Sequence, residues 1–526
     1  MVLTMKKLVI LLSCFLAVLA CSKEQNKEQD FVSDNLQVFE RPVITVSSEG
    51  QTTKAYLGAA DGLGNCDMLW SLSDKIGVHV YSGINVGREK GGINTSWTVD
   101  PKDVDKKSGA FSADSPIDGA LNYSYAAYYP FDTHNIGGDA RFYCAYKNSY
   151  SGYVPGRIIS PMVANMNADG LGLERRSTNI ALKHVGATVK ITLNNVPAEA
   201  NKLVLTISNN NITGWGGVDP SDAGTAYVSP SGLSAGEGVT VTHSVALNFD
   251  EGVATRNGLV FYFPVPVLTA PTIQVDLYVD SVIIWSKSSS NAQPNVGRGE
   301  VLVMPALNVS TPTVAYVLNE VGTIWDGANT AFHVVDVSSW PGWTSTRTET
   351  FGSYTYQKYF MPTSAAGASR TINFTSASDN NKTTWLGDVT ITAGQNHFFR
   401  TDGVSFRTVT VASSPEALPH RVCAYSDEIG DNLKVYGWKG DNLYFGGWRD
   451  SANSMTKADA KMGASVFWYY KDLSDGQYVS DSNLIFINDW GGVDCHQTPD
   501  ISSVDLSSNK FYYIYYDNGN LRALEK

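Results

Sequence analysis

The sequence predicts an all-β chain built as four tandem β-sandwiches, and three observations carry that prediction. Short apolar or alternating runs recur from end to end, among them "KIGVHVYS", "ATVKITLNNV", "KLVLTISNN", "GVTVTHSVALNF", "TIQVDLYVDSVIIWS" and "KFYYIYY". Clusters of Gly, Asn, Asp, Ser and Pro separate them, and a helical period is almost absent, which is the pattern of antiparallel sandwiches. At 526 residues the chain also exceeds what one hydrophobic core supports, so several units are required.

The elements follow in order. Met5, Lys6 and Lys7 precede an apolar run, Leu8 to Leu19, too short to span a membrane as a mature helix; this reads as a secretory signal over residues 1–20. Its end, Val18-Leu19-Ala20-Cys21, resembles a bacterial lipobox. The resemblance implies cleavage before Cys21, lipidation of its thiol, and an outer-membrane anchor. Residues 21–37 are polar and without apolar period, as expected of a flexible tether. Their acidic character resembles the export signal of surface-exposed Bacteroidetes lipoproteins, which implies a chain facing the cell exterior.

Punctuation near Pro197, near Asn308–Val314 and near Ala412–His420 divides the remainder into units of residues 38–196, 197–310, 311–412 and 413–526. Besides Cys14 and Cys21 the cysteines are Cys66, Cys144, Cys423 and Cys495. No pair has CxxC spacing, so neither a zinc ribbon nor a redox motif is supported, and the pairing of the four stays open.

Charge and composition narrow the function. Charged residues make up only 17% and the net charge is -12, which leaves no basic stripe to displace counterions and excludes nucleic-acid partners. Aromatic residues reach 11%, with 27 Tyr and 12 Trp, so neutral ligands fit better. HExxH and Walker motifs are absent, and the eight histidines show no ligand spacing. No enzyme, cofactor or metal site is expected.

Four landmarks recur in a fixed order in the first two units: Trp70-Ser-Leu-Ser-Asp74-Lys-Ile76-Gly77-Val78, "YSYAAYYPF" (Tyr123 to Phe131), Leu182-Lys-His184-Val-Gly-Ala187-Thr-Val189, and "VFYFPVPV" (Val260 to Val267). Together, behind a lipobox, they resemble fimbrillin-like proteins of Bacteroidetes. The resemblance implies two transthyretin-like sandwiches over residues 38–308 and, in some members, strand exchange between subunits after proteolytic maturation, here at Arg41 or Lys54. Trp70, Tyr128, Tyr129 and His184 are expected to be core or joint residues rather than ligand contacts.

The last two units read as a duplication. "INFTSASDNNKTTWLGDVTITAGQNHFFRTDG" (Ile372 to Gly403) aligns with "LIFINDWGGVDCHQTPDISSVDLSSNKFYYIYYDNG" (Leu484 to Gly519), with equal spacing from Phe374 to Asp388 and from Phe486 to Asp500. The later copy carries Tyr436, Trp438, Trp448, Asn488, Asp489, Trp490, Gln497 and Thr498 on or beside loops. Flat rings suit the CH face of a sugar, and planar carboxamides both donate and accept toward its hydroxyls.

"VYGW", "GGW" followed by Met455-Thr456, and "LIFINDWGG…QTPD" resemble the family 26 starch-binding modules and the C-terminal modules of Bacteroidetes starch-utilisation lipoproteins. That family's pattern runs Tyr-x-Trp, Trp-Pro-Gly-x-x-Met, then Ile-Phe-Asn with Gln-Thr-Pro-Asp. The resemblance implies that Tyr436, Trp438 and Trp448 stack on a polysaccharide, starch or another α-glucan, while Asn488, Asp489 and Gln497 hydrogen-bond. The alternating aromatics of "KFYYIYYDN" are expected in the core.

The earlier copy keeps Trp340-Pro341-Gly342 but has Trp385-Leu386-Gly387-Asp388 in place of Gln497-Thr498-Pro499-Asp500. A different platform, from Trp343 or Trp385, and a structural spacer both stay open for it. Two functional expectations result: a surface lipoprotein holding polysaccharide above a fimbrillin-like stalk, or a fimbrial accessory or tip subunit using the same modules as a glycan-binding adhesin. Other fimbrial subunits or glycan-uptake components are further partners that the sequence leaves open.

Overall fold

A computed structural model describes residues 43–48, 56–57, 68–72, 74–82, 93–115, 123–135, 141–156, 160–164, 179–219, 226–252, 256–318, 330–334, 345–362, 368–376, 384–401, 406–409, 420–429, 432–448, 450–462, 466–474, 480–488 and 496–526. Every long element is a β-strand, with only 3-10 turns between them, and the chain is all-β. Among these residues no helix is long and apolar enough to cross a membrane. The signal, Cys21, the tether, Arg41 and Lys54 lie outside the described residues.

Seven strands of the first unit pair in a ladder that closes on itself. Val43–Ser48 closes it, running antiparallel to Ser108–Ala113 and parallel to Asn179–His184. Inside sit Trp70, Ile76, Trp97, Phe111 and Tyr129. Along Ala126–Tyr129 the strand Tyr123–Tyr129 has no solvent face, because Ala126 and Tyr128 point outward beneath a three-stranded sheet holding Phe142 and Tyr146. Gly77 stands directly opposite Tyr128, and a Cβ there would lie 2.0 Å from the Tyr128 ring. Trp70, Tyr128, Tyr129 and His184 are all buried, so these sequence landmarks are packing positions.

The first two units interlock more than punctuation suggests. Ala187–Asn194, placed by the Pro197 signal in the first unit, pairs with Leu259–Val265 and Val301–Val303 in the second. Pro197 therefore marks a turn within the second unit, and the chain crosses at Val185-Gly186. In return, Phe142–Tyr146 pairs with Gly214–Val218, and Ser149–Tyr150 pairs with Ser244–Asn248. Pairing between strands so far apart leaves no local signature in the chain. Cys144 is a free, buried thiol, and Cys66 lies outside the described residues.

The duplication is visible in topology. The third unit orders one sheet as Thr348–Phe351, Tyr354–Phe360, Val314–Leu318, Asn396–Thr401 and Phe406–Val409. The fourth repeats it with Thr456–Met462, Phe467–Asp472, Arg421–Tyr425, Lys510–Asp517 and Asn520–Glu525. In each copy the first strand runs parallel to its penultimate partner. Opposite lie Thr330–Val334 with Ser369–Ser376 in one copy, and Leu433–Lys439 with Ser482–Asn488 in the other.

Neither copy is a separate bead. Thr384 and Trp385 pair with Met462 and Lys461, which fuses strands of both copies into one eight-stranded sheet. Trp468, Cys423 and Phe511 of the later copy share a core with Ala315, Val317 and Tyr359 of the earlier one. Val314–Leu318 is buried on both faces: Val314, Tyr316 and Leu318 enter the core of the second unit, while Ala315 and Val317 face the other way. Period-two alternation thus splits one strand between two cores. At the same joint Arg347 reaches from the third unit to Glu251 and to Asp280, the latter at 2.9 Å.

Candidate functional site

The site grows from the alternation of two neighbouring strands, Leu433–Lys439 and Ser482–Asn488. Leu433, Val435, Leu484 and Phe486 face the core, so Tyr436 and Trp438 on the first strand, and Asn483, Ile485 and Ile487 on the second, face outward. Across the pair Tyr436 stands opposite Ile485 and Trp438 opposite Asn483. The residue between the two rings must be glycine. A Cβ on Gly437 would meet Tyr444 at 2.9 Å and Leu484 at 3.1 Å.

Trp448 joins the face from a loop. Gly446 has φ 132°, a backbone conformation open to glycine, and its turn swings the chain back over the strands. Asp450 caps the short 3-10 turn Ser451–Asn453 through the Ala452 amide at 3.0 Å. The fully buried Asn453 donates to the Gly447 carbonyl at 2.9 Å, tying the loop down. Beneath it the Tyr444 and Ser482 hydroxyls share a 2.6 Å hydrogen bond.

Three rings result on one wet face. Tyr436 and Trp438 are half-buried, with centroids 5.3 Å apart and planes inclined by 38°. Trp448, 42% exposed, meets Tyr436 edge-to-face at 5.2 Å and 84°. The rings are fixed by one another, yet keep surface open. Gln497 pairs with Ile487 and therefore shares this face; its side chain is exposed.

The structure separates the residues singled out by sequence. Tyr436, Trp438, Trp448 and Gln497 come together. Asn488 and Thr498 are each 1% exposed and turn away. Asn488 donates to the Tyr516 hydroxyl at 3.2 Å, and the Thr498 hydroxyl accepts from the Phe486 amide at 3.0 Å. Both stitch strands, and burial withdraws their side chains from any ligand on the ring face. Asp489, Trp490 and Cys495 lie outside the described residues, as do Trp340 and Trp343. Asn483 and Ile485 were not singled out; the signal was available in the alternation of Ser482–Asn488.

Electrostatically the face is mild. Lys439 donates to the Ser480 carbonyl at 2.6 Å. Lys471 lies 5.4 Å from the Phe445 ring centroid, and burial holds its ammonium below the ordinary value while Asp472 pulls the other way. Among the described residues no group of three or more His, Cys, Asp or Glu could hold a metal ion. What the face offers is ring stacking and neutral hydrogen bonding.

No family model matches the chain, and no curated protein matches it in sequence. Among solved structures, one described as a "putative cell adhesion protein" from Bacteroides ovatus shares 12% identity, covering 51% of this chain and 92% of that one at a TM-score of 0.30. At that distance it says nothing of a ligand.

Proposed function

We propose that the protein is a surface lipoprotein that captures polysaccharide through its C-terminal unit, with the preceding units as its stalk. One observation carries this reading: Tyr436, Trp438 and Trp448 form an outward-facing, mutually braced ring cluster with a carboxamide on the same face. Apolar rings left half open to water cost free energy unless something covers them, and a sugar's CH face does so without demanding charge. The resemblance of the surrounding motifs to starch-binding modules favours an α-glucan. The inclined ring planes suit a curved chain better than a flat ribbon.

The stalk role draws support from the joints. A strand buried on both faces, a sheet shared between copies and the Arg347 clasp resist bending between units, which supports a stiff connection between the ring-bearing unit and the units before it. Cys21 is the proposed lipid attachment point and the outer membrane the proposed site. The role is binding, without catalysis.

The test is native gel electrophoresis of the mature chain with amylopectin in the gel. Retardation relative to a non-binding standard is expected; migration unchanged by amylopectin would remove the α-glucan claim, and a glycan array would show whether another polysaccharide takes its place.

A further inference from the structure

We infer that Asn483 and Gln497 bracket the ring face and set a minimum length for the glycan it holds; this rests on the polysaccharide reading above. Asn483 stands opposite Trp438, and Gln497 stands opposite Ile487, which in turn is opposite Lys434. All three rows lie on the outward side by strand alternation, because Ser482, Leu484 and Phe486 point inward.

The two carboxamides therefore sit at opposite ends of the face. From Asn483 to Ile487 is four residues of extended strand, about 13 Å at the usual rise. Between them lies Tyr436; Ile485 and Ile487, on the same side of the strand, are buried and offer a ligand no surface. Among the described residues no hydrogen bond holds either carboxamide. Each retains its donors and its acceptor for a ligand.

A sugar stacked beside Trp438 reaches Asn483, but its reducing or non-reducing neighbour alone does not reach Gln497. A disaccharide falls short of the span and a trisaccharide covers it. The face thus reads internal stretches of a chain rather than its ends, which suits capture of a polymer. Sequence motifs pointed to Asn488 for the carboxamide contact; the alternation of the strand gives that place to Asn483.

The experiment is calorimetric titration of the full mature chain with linear α-1,4-linked glucose oligomers from two to seven units, for wild type, Asn483→Ala, Gln497→Ala and Trp448→Ala. Affinity should rise steeply between the dimer and the trimer and then level. Asn483→Ala and Gln497→Ala should each weaken the heptamer about threefold to tenfold, the worth of one hydrogen bond. At least one of the two variants should leave affinity for the dimer within twofold of wild type. Thermal midpoints unchanged by these surface substitutions would confirm intact folding.

If both variants bind the heptamer as wild type does while Trp448→Ala does not, the rings act without the bracket and this inference falls, although the polysaccharide reading stands. If wild type binds no oligomer and no amylopectin, the inference falls together with the α-glucan claim.

Discussion

Replacing Trp448 by Ala removes the most open ring of the cluster and leaves the strands beneath it untouched. A Trp side chain presents on the order of 200 Å², and with 42% of Trp448 exposed about 80 Å² is available to a ligand. Covering that area contributes at most about 2 kcal/mol at ~25 cal/mol per Å², or about thirtyfold in affinity. The cost to folding is smaller, because among the described residues the ring's aromatic contact is one edge-to-face pair with Tyr436, worth about 0.5 to 1.5 kcal/mol. The variant should therefore stay folded and lose retardation in amylopectin gels by more than an order of magnitude in apparent Kd. A variant retarded as strongly as wild type would refute the reasoning, since the ring that most needs a partner would then have none.

Three further outcomes are expected. Gly77→Ala should destabilise by about 3 kcal/mol or more, because the new Cβ would lie within the Tyr128 ring, whereas Gly437→Ala should cost about 1 to 3 kcal/mol; urea midpoints compare them. His184 is buried and, with Arg298 adding to the effect of burial, is pushed down to about 3 from its ordinary 6.5. The unfolded chain then takes up a proton that the folded one refuses, so stability is whole above about pH 6.5 and falls by about 1.4 kcal/mol per unit as pH drops toward 3. His184→Gln should flatten the pH 7 to 5 part of that slope in thermal midpoints, and an equal slope in both proteins would count against it. The isolated 413–526 segment should bind hydrophobic dye and associate, because it bares Trp468, Cys423 and Phe511 and the Lys461–Met462 edge; a monomeric, dye-silent segment would show the shared core to be dispensable.

Several levels of this molecule were legible in the chain itself. Alternation and turn residues determined the all-β class, and the equal spacing around Phe374 and Phe486 pointed to a duplication whose five-strand order recurs in both copies. Gly77 and Tyr128 stood out as separate landmarks; register makes them one contact, ring against bare backbone. Local pattern suffices for such features because a strand's side chains report its two faces residue by residue.

Pairing between distant strands lies beyond that pattern. Nothing near Pro197 says that Ala187–Asn194 belongs to the next sheet, and nothing near Trp385 says that its backbone bridges to Lys461. The same division runs through the site. Residue type nominated Tyr436, Trp438, Trp448 and Gln497, and also Asn488 and Thr498, whose chemistry is equally suited to sugars. Only register and burial separated them, because a carboxamide or hydroxyl turned inward satisfies strand amides and neighbouring hydroxyls, and the one-residue step from Thr498 to Gln497 is what moves a side chain from core to water.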